Sequence, residues 1–243
     1  MTTHQTFQIA GESVPVKLVR ERRRSVRAYM GKKEIIIRLP QHLAATQEQE
    51  HLNRLTDWLA QQFADKPALL QRYRQADYQN GDTLRVGQQT YRIFLREAAR
   101  KTSKATINEG VIELELNDQL PPDRRSKTIK HLLSRIIAAD QLPAITRRVF
   151  ELNERYFQQP IQQVRLKYNH SNWGSCSDAS NINLSTRLLF APPDVIDYVI
   201  IHELAHLIEL NHSDRFWALV KRAMPDYQAK EQWLKDYGSQ CDF

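Results

Sequence analysis

Cysteine is scarce in this chain: Cys176 and Cys241 are the only two in 243 residues. They match no CxxC or Cys/His finger spacing, which excludes a disulfide framework and a zinc finger and leaves two free thiols suited to a reducing compartment. Long hydrophobic runs are missing too, since nowhere do about 18 apolar residues follow one another as a membrane span requires. The opening MTTHQTFQIAGESVPV has neither the basic start nor the apolar stretch of a signal peptide. These absences lead to the expectation of a cytoplasmic protein that meets no membrane. No internal repeat and no low-complexity tract stands out.

The composition that remains is that of an ordinary globular protein, with 41% hydrophobic and 26% charged residues. A chain of this length buries a sizeable core without cross-links. Its net charge of +7 is unevenly placed: residues 1–110 hold 19 Lys and Arg against 11 Asp and Glu, leaving 16 against 17 for the remainder. Two basic clusters, Arg20, Arg22, Arg23, Arg24 and Arg27, then Arg96, Arg100, Lys101 and Lys104, could attract a nucleotide or nucleic acid. Solvated charge on exposed strands is the plainer reading of both.

Residues 7–9, 14–19 and 34–39 read as strands, with Gly11 and Gly31 at turns. Between residues 46 and 73 the period changes, because Leu52, Leu55, Leu59, Phe63, Leu69 and Leu70 recur at helical spacing, with Pro67 as an interruption. Alternation returns at residues 83–86 and 90–95, paired around Gly87, and at 111–116. Pro121-Pro122 is the candidate domain boundary, separating a β-rich basic region with one helix (1–120) from residues 121–243. Beyond it the pattern is helical from Arg124 to about Phe157, with Pro143 starting a second helix or kinking the first. Short strands at 164–168 and 182–184 flank the loop HSNWGSCSDASN. A helix entered through Pro192, Pro193 and Asp194 follows, and two more close the chain around 216–223 and 228–237. The fold class expected is α+β.

The chemistry lies in His202-Glu203-Leu204-Ala205-His206. On a helix of about 3.6 residues per turn, positions four apart share a face, so both imidazoles can address one cation. Glu203 stands beside them, placed to take a proton from a water at the metal. A catalytic zinc site takes three protein ligands and keeps one position open. His212 is the preferred third ligand: Asn211 can adopt the left-handed conformation that ends helices, and Ser213 can cap the next one. Glu209, on the same stripe as both histidines, is the rival, or else an orienting group. The cofactor expected is Zn2+, although three imidazoles also hold other divalent ions.

The stretch WGSCSDASNINLSTRLLFAPPDVIDYVIIHELAHLIELNHSDRFWALVKRAMPDYQAKEQWL resembles the YgjP-like family of metal-dependent hydrolases, relatives of the SprT-like and other compact gluzincin metallopeptidases. The resemblance covers about residues 164–234. It implies a zincin core with a small sheet, an HExxH active-site helix and a third histidine from the NHS segment, His212. Where members of the family often have an arginine before WGSC, this chain has Asn172. In a zincin the strand beside the active helix holds an extended substrate by its main chain, so residues 183–187 are the candidate strand, with Asn183, Leu184 and Ser185 as substrate-binding candidates together with Tyr198. For the oxyanion, Tyr198, His170 and Tyr227 are candidates. Cys176 reads as structural rather than nucleophilic, and Phe216 and Trp217 as packing beneath the metal site.

The reading is therefore a zinc-dependent hydrolase acting on a peptide or protein substrate through a Glu-activated water. A metal-dependent nucleotide phosphoanhydride hydrolase and a nucleic-acid-associated protease-like module are the alternatives.

Overall fold

The structure is a computed structural model, and it describes residues 2–31, 34–66 and 78–243. The chain forms two compact units, Met1–Ala76 and Asp77–Phe243. The expected segment at Pro67 and residues 68–73 lies outside the described residues.

The first unit contains β1 (Thr2–Ile9), β2 (Glu12–Glu21), β3 (Arg27–Met30), β4 (Ile35–Pro40) and α1 (Ala45–Asp65). Its sheet has the order β1-β2-β4-β3, with β2 and β4 parallel and both outer pairs antiparallel. Ala10 and Gly11, at φ 53° and 80°, make the tight β1–β2 turn, whose left-handed backbone conformation matches the right-handed twist of the flanking strands. Period-two alternation sends Val14, Val16 and Leu18 of β2 and Ile35, Ile37 and Leu39 of β4 to one face. Leu52, Leu59 and Phe63 of α1 complete that buried core. Strand β3 escaped the sequence reading because RAYM has no apolar alternation and exists through its pairing with β4.

The second unit opens with the same plan. Strands β5 (Thr83–Val86), β6 (Gln89–Ala98), β7 (Lys104–Asn108) and β8 (Val111–Asn117) have the order β5-β6-β8-β7, again antiparallel, parallel, antiparallel. The topology repeats although the sequence does not, since residue identities need not recur for a pairing order to do so. Helix α2 (Pro122–Tyr156) then runs for 35 residues and carries Pro143 inside it. It neither ends nor restarts there.

Pro121 and Pro122 mark the passage from β8 into α2, not a boundary between units. Leu114 and Leu116 of β8, Ile129 and Leu133 of α2 and Ile182 and Leu204 further on share one buried core. The division expected at 120/121 is thus displaced to 76/77.

A three-stranded sheet of order β10-β11-β9 follows, built from β9 (Gln163–Lys167), β10 (Gly174–Cys176) and β11 (Asn181–Ser185). Helices α3 (Pro193–Ala205), α4 (Asp214–Ala223) and α5 (Tyr227–Tyr237) complete the unit. The chain is a mixed α+β protein with five α-helices among the described residues, none of them long and apolar enough to cross a membrane.

Candidate metal centre and cleft

Helix α3 is apolar nearly all round: Val195, Val199, Ile200, Ile201 and Leu204 are buried. Such a helix belongs inside a core, and burial of its polar residues carries a desolvation cost. His202 and Glu203 are the residues that bear it, Glu203 being 5% exposed. The helix ends at Ala205, one residue before the motif does. His206 keeps helical angles (φ −66°, ψ −17°), so its side chain stays on the face of His202.

The chain then folds back over six residues. The Glu209 N–H donates to the Ala205 carbonyl. Asn211 contributes through its side chain, which accepts the Ser213 N–H at 3.0 Å, and not through a left-handed backbone. Ser213 caps α4 by accepting the Phe216 N–H, as its residue type predicts. This turn places Nε2 of His212 3.0 Å from Nε2 of His202. One nitrogen from each of His202, His206 and His212 falls within 4.8 Å of the others. The Phe216 ring lies 4.5, 4.7 and 4.9 Å, centroid to centroid, from the rings of His206, His212 and His202, forming the floor the sequence suggested.

This donor set fits a divalent cation. Nδ1 of His206 is 3.0 Å from the Glu209 carbonyl, which makes Nδ1–H the donor and leaves the Nε2 lone pair free. Burial, with the neighbouring imidazoles adding to it, pushes His202 down to about 4, and burial lowers His206 as well, so both rings are neutral near pH 7. Nδ1 of His202 is buried without a hydrogen-bond partner among the described residues. Glu209, the rival ligand, is absent from the cluster: its carbonyl orients His206 and its carboxylate pairs with Arg215 at 3.8 Å.

Glu203 faces β10. Burial pushes its carboxyl up to about 8, opposed by a hydrogen bond from the Cys176 N–H. A Cβ on Gly174 would stand 2.5 Å from Oε1 of Glu203, so glycine is what lets the strand approach the carboxylate this closely. Cys176 itself is held as a thiol, its pKa raised to about 11 by burial and then by Glu203. It is no nucleophile at neutral pH.

The histidines and Glu203 line one end of a cleft of 820 Å3, with Trp173, Tyr198, Leu210, Glu231 and Lys235 around it. Of the three oxyanion candidates, Tyr198 lines this cleft. His170 is engaged with the Tyr168 hydroxyl at 2.9 Å, and Tyr227 is stacked between Trp217 and Tyr198.

The substrate strand needs correction. Asn183, Leu184 and Ser185 belong to β11, which is paired on both sides, to β10 and to β9. Leu184 and Ser185 are each 2% exposed, and the Ser185 N–H and hydroxyl bond to Trp173 and Asn169 carbonyls. The edge strands are β10 and β9, and the edge of β10 is the one beside Glu203. The bonds from Ser185 N–H to Trp173 and from Ser177 N–H to the Asn181 carbonyl set the ladder phase. Ser175 therefore faces β11, and the main-chain groups of Gly174 and Cys176 point outward.

Sequence reading also missed what steadies β10. Arg187, 8% exposed, donates to the carbonyls of Cys241, Gly238 and His170 and lies 4.7 Å from the centre of the Trp173 ring. A Cβ on Gly238 would meet that ring at 2.5 Å. Trp173, immediately before β10, is thus held between Arg187 and the last turn of the chain, and only the WGSC tetrapeptide hinted at it.

Much of the basic charge is tied up in ion pairs. Arg96, Arg100 and Lys104 converge on Glu115, Arg20 pairs with Glu48, and Arg23 and Arg38 share Glu21.

Residues 22–237 match the family model described as YgjP-like, metallopeptidase domain. Among solved structures, the chain is similar to the crystal structure of the metallopeptidase zymogen of Pyrococcus abyssi abylysin, at 25% identity over 38% of this chain and 91% of that one, with a TM-score of 0.35. The metallopeptidase zymogen of Methanocaldococcus jannaschii jannalysin matches at 21% identity over 38% of this chain and 92% of its own, TM-score 0.33. No match was found among curated proteins.

Proposed function

Because the chain belongs to the YgjP-like metallopeptidase family, we propose that it is a zinc-dependent peptidase with a zincin core, in which His202, His206 and His212 hold the metal and Glu203 is the general base. The observation that carries this reading is the convergence of three imidazoles beside a buried carboxylate in an open cleft. Zinc, when bound, makes a water more acidic and the scissile carbonyl more electrophilic. Other divalent ions suit the same donors.

The protein's own groups supply the rest. An extended peptide lies antiparallel along the outward edge of β10, hydrogen-bonded to the main chain of Gly174 and to the Cys176 carbonyl, the Cys176 N–H being held by Glu203. Glu203 takes the proton of the attacking water as its oxygen bonds to the carbonyl carbon, and delivers that proton to the amine when the C–N bond breaks. Tyr198, which lines the cleft, donates to the oxygen on which negative charge develops. Phe216 packs against all three imidazole rings, and the Glu209 carbonyl orients His206.

Two variants test this. Glu203→Gln should keep one zinc per chain in elemental analysis while peptide turnover falls about 10²- to 10⁴-fold. His206→Ala should lose both metal and turnover. Full activity in Glu203→Gln overturns the mechanism, and a zinc-loaded protein that cleaves no member of a mixed peptide library overturns the peptidase assignment.

A further inference from the structure

We propose that the solvent face of the β10-β11-β9 sheet, next to the cleft, is a binding site for carboxylate side chains of an acidic polypeptide segment. This rests on the reading of the cleft as a peptide site and extends it to the class of peptide.

The face is built by strand alternation. Register places Ser175, Asn183 and Arg165 in one row across the three strands, and Ser185 and Lys167 in the next. Here lies a hollow of 320 Å3 that shares Asn172, Gly174 and Ser175 with the cleft. A chain leaving the cleft across that rim enters it directly. An adjoining groove of 530 Å3 shares Lys167 and adds His131 and Arg135.

Among the described residues, no Asp or Glu lines either hollow. Among the described residues Arg165 bonds to the neutral Gln163 amide at 2.8 Å, and no carboxylate lies within 4.0 Å of Arg165, Lys167 or Arg135. Asp242, which the Tyr168 hydroxyl reaches at 2.7 Å, is also engaged by Lys130 at 2.5 Å. Among the described residues, Arg148, Lys230 and the Glu115 cluster are paired elsewhere in this unit, and cations such as Lys127 and Lys221 are not, but Arg165, Lys167 and Arg135 are the unpaired ones that line the hollows next to the cleft.

Spacing points to a polypeptide. Arg165 and Lys167 are two residues apart on β9, about 6.6 Å along the strand, and alternate side chains of an extended peptide repeat at the same interval. Acidic residues at positions i and i+2 match both cations. The lining residues come from strands, from the loops at Tyr168, Asn169, Asn172 and Ser177, and from the middle of α2, so among the described residues no helix N-terminus lines the strip as phosphate sites commonly require.

Binding to the zinc-loaded Glu203→Gln protein, read by fluorescence anisotropy, tests this without turnover. The probes are labelled peptides carrying Glu-Ala-Glu, or Gln-Ala-Gln at the same positions. The Glu peptide should bind about 10-fold more tightly at low salt, and adding Arg165→Gln and Lys167→Gln should erase the difference while zinc content and melting midpoint stay unchanged. Lys221→Gln, a charge change on α4, should leave it intact. Equal binding of the two peptides overturns the proposal, as does a preference that survives the double substitution. So does tight binding of a nucleoside triphosphate that requires Arg165 and Lys167 while neither peptide binds. Cleavage of neutral peptides with no acidic preference sinks this inference alone. Acidic binding without cleavage by the unsubstituted protein sinks the peptidase reading and leaves this one standing.

Discussion

The two four-stranded sheets have one topology and two outcomes. In the first, α1 lays Leu52, Leu59 and Phe63 over the sheet and the core is complete. In the second, α2 continues for 35 residues, and its distal half, with Ile145, Val149 and Leu152, is buried in the core that also holds Val164 of β9 and Leu204 of α3. Both sheets even bridge their parallel pair with charge, Glu21 to Arg38 in one and Arg96 to Glu115 in the other. What separates a self-contained unit from one that carries the histidine cluster is the length of helix left over after the sheet is covered. Function resides in what the common plan is made to support.

Substitutions can break that comparison, and the largest effect should come from matched damage to the two cores. Phe63→Ala should cost the first unit about 3–5 kcal/mol. If the second unit alone makes the site, zinc content should remain at one per chain while calorimetry records the loss. Leu204→Ala, about 2–5 kcal/mol in the core beneath the histidines, should lower zinc content as well. Equal zinc loss in both variants would show that the units do not divide the work.

Gly174→Ala comes next. The new Cβ must displace the Glu203 carboxylate, and a misplacement of that order reduces turnover about 10²-fold while the three histidines keep their metal. Steady-state kinetics beside elemental analysis distinguishes this from loss of the site. Gly238→Ala pushes on Trp173 from the other side, and overpacking there should lower stability by about 1–3 kcal/mol, seen as a drop in melting midpoint.

The smallest effect concerns the charge bridges. Lys104 foremost, then Arg96, hold Glu115 down at about 2, against an ordinary value of 4.5. A depressed carboxylate stabilises the fold above its unfolded pKa, and that contribution fades as pH falls from about 4.5 toward about 2. The melting difference between the parent chain and Glu115→Gln should therefore be steady above pH 5 and vanish near pH 2. A difference that grows on acidification would contradict the pairing.

Legibility differed from residue to residue. His202 and His206 could be read because four residues on a helix share a face, and His212 because the return turn is six residues long and built from Asn211 and Ser213. The strands β1, β2, β4, β5, β6 and β8 announced themselves by apolar alternation. Strand β10 could not, for Gly-Ser-Cys becomes a strand only against β11, and choosing β11 as the substrate edge followed from that gap. The boundary at Pro121-Pro122 failed for a related reason: two prolines stop a strand and start a helix without saying whether both sides share a core.

By itself the amino-acid order determined what depends on neighbours along the chain: helical spacing of the histidines, caps, turns and the apolar faces of strands, all governed by backbone periodicity and local hydrogen bonding. Tertiary structure alone decided that β10 is the edge beside Glu203, that Glu203 is buried against Gly174, that Arg187 and Gly238 grip Trp173, and which cations find carboxylates. Those outcomes arise from strand pairing, desolvation and charge proximity between residues far apart in sequence, and no local pattern encodes them.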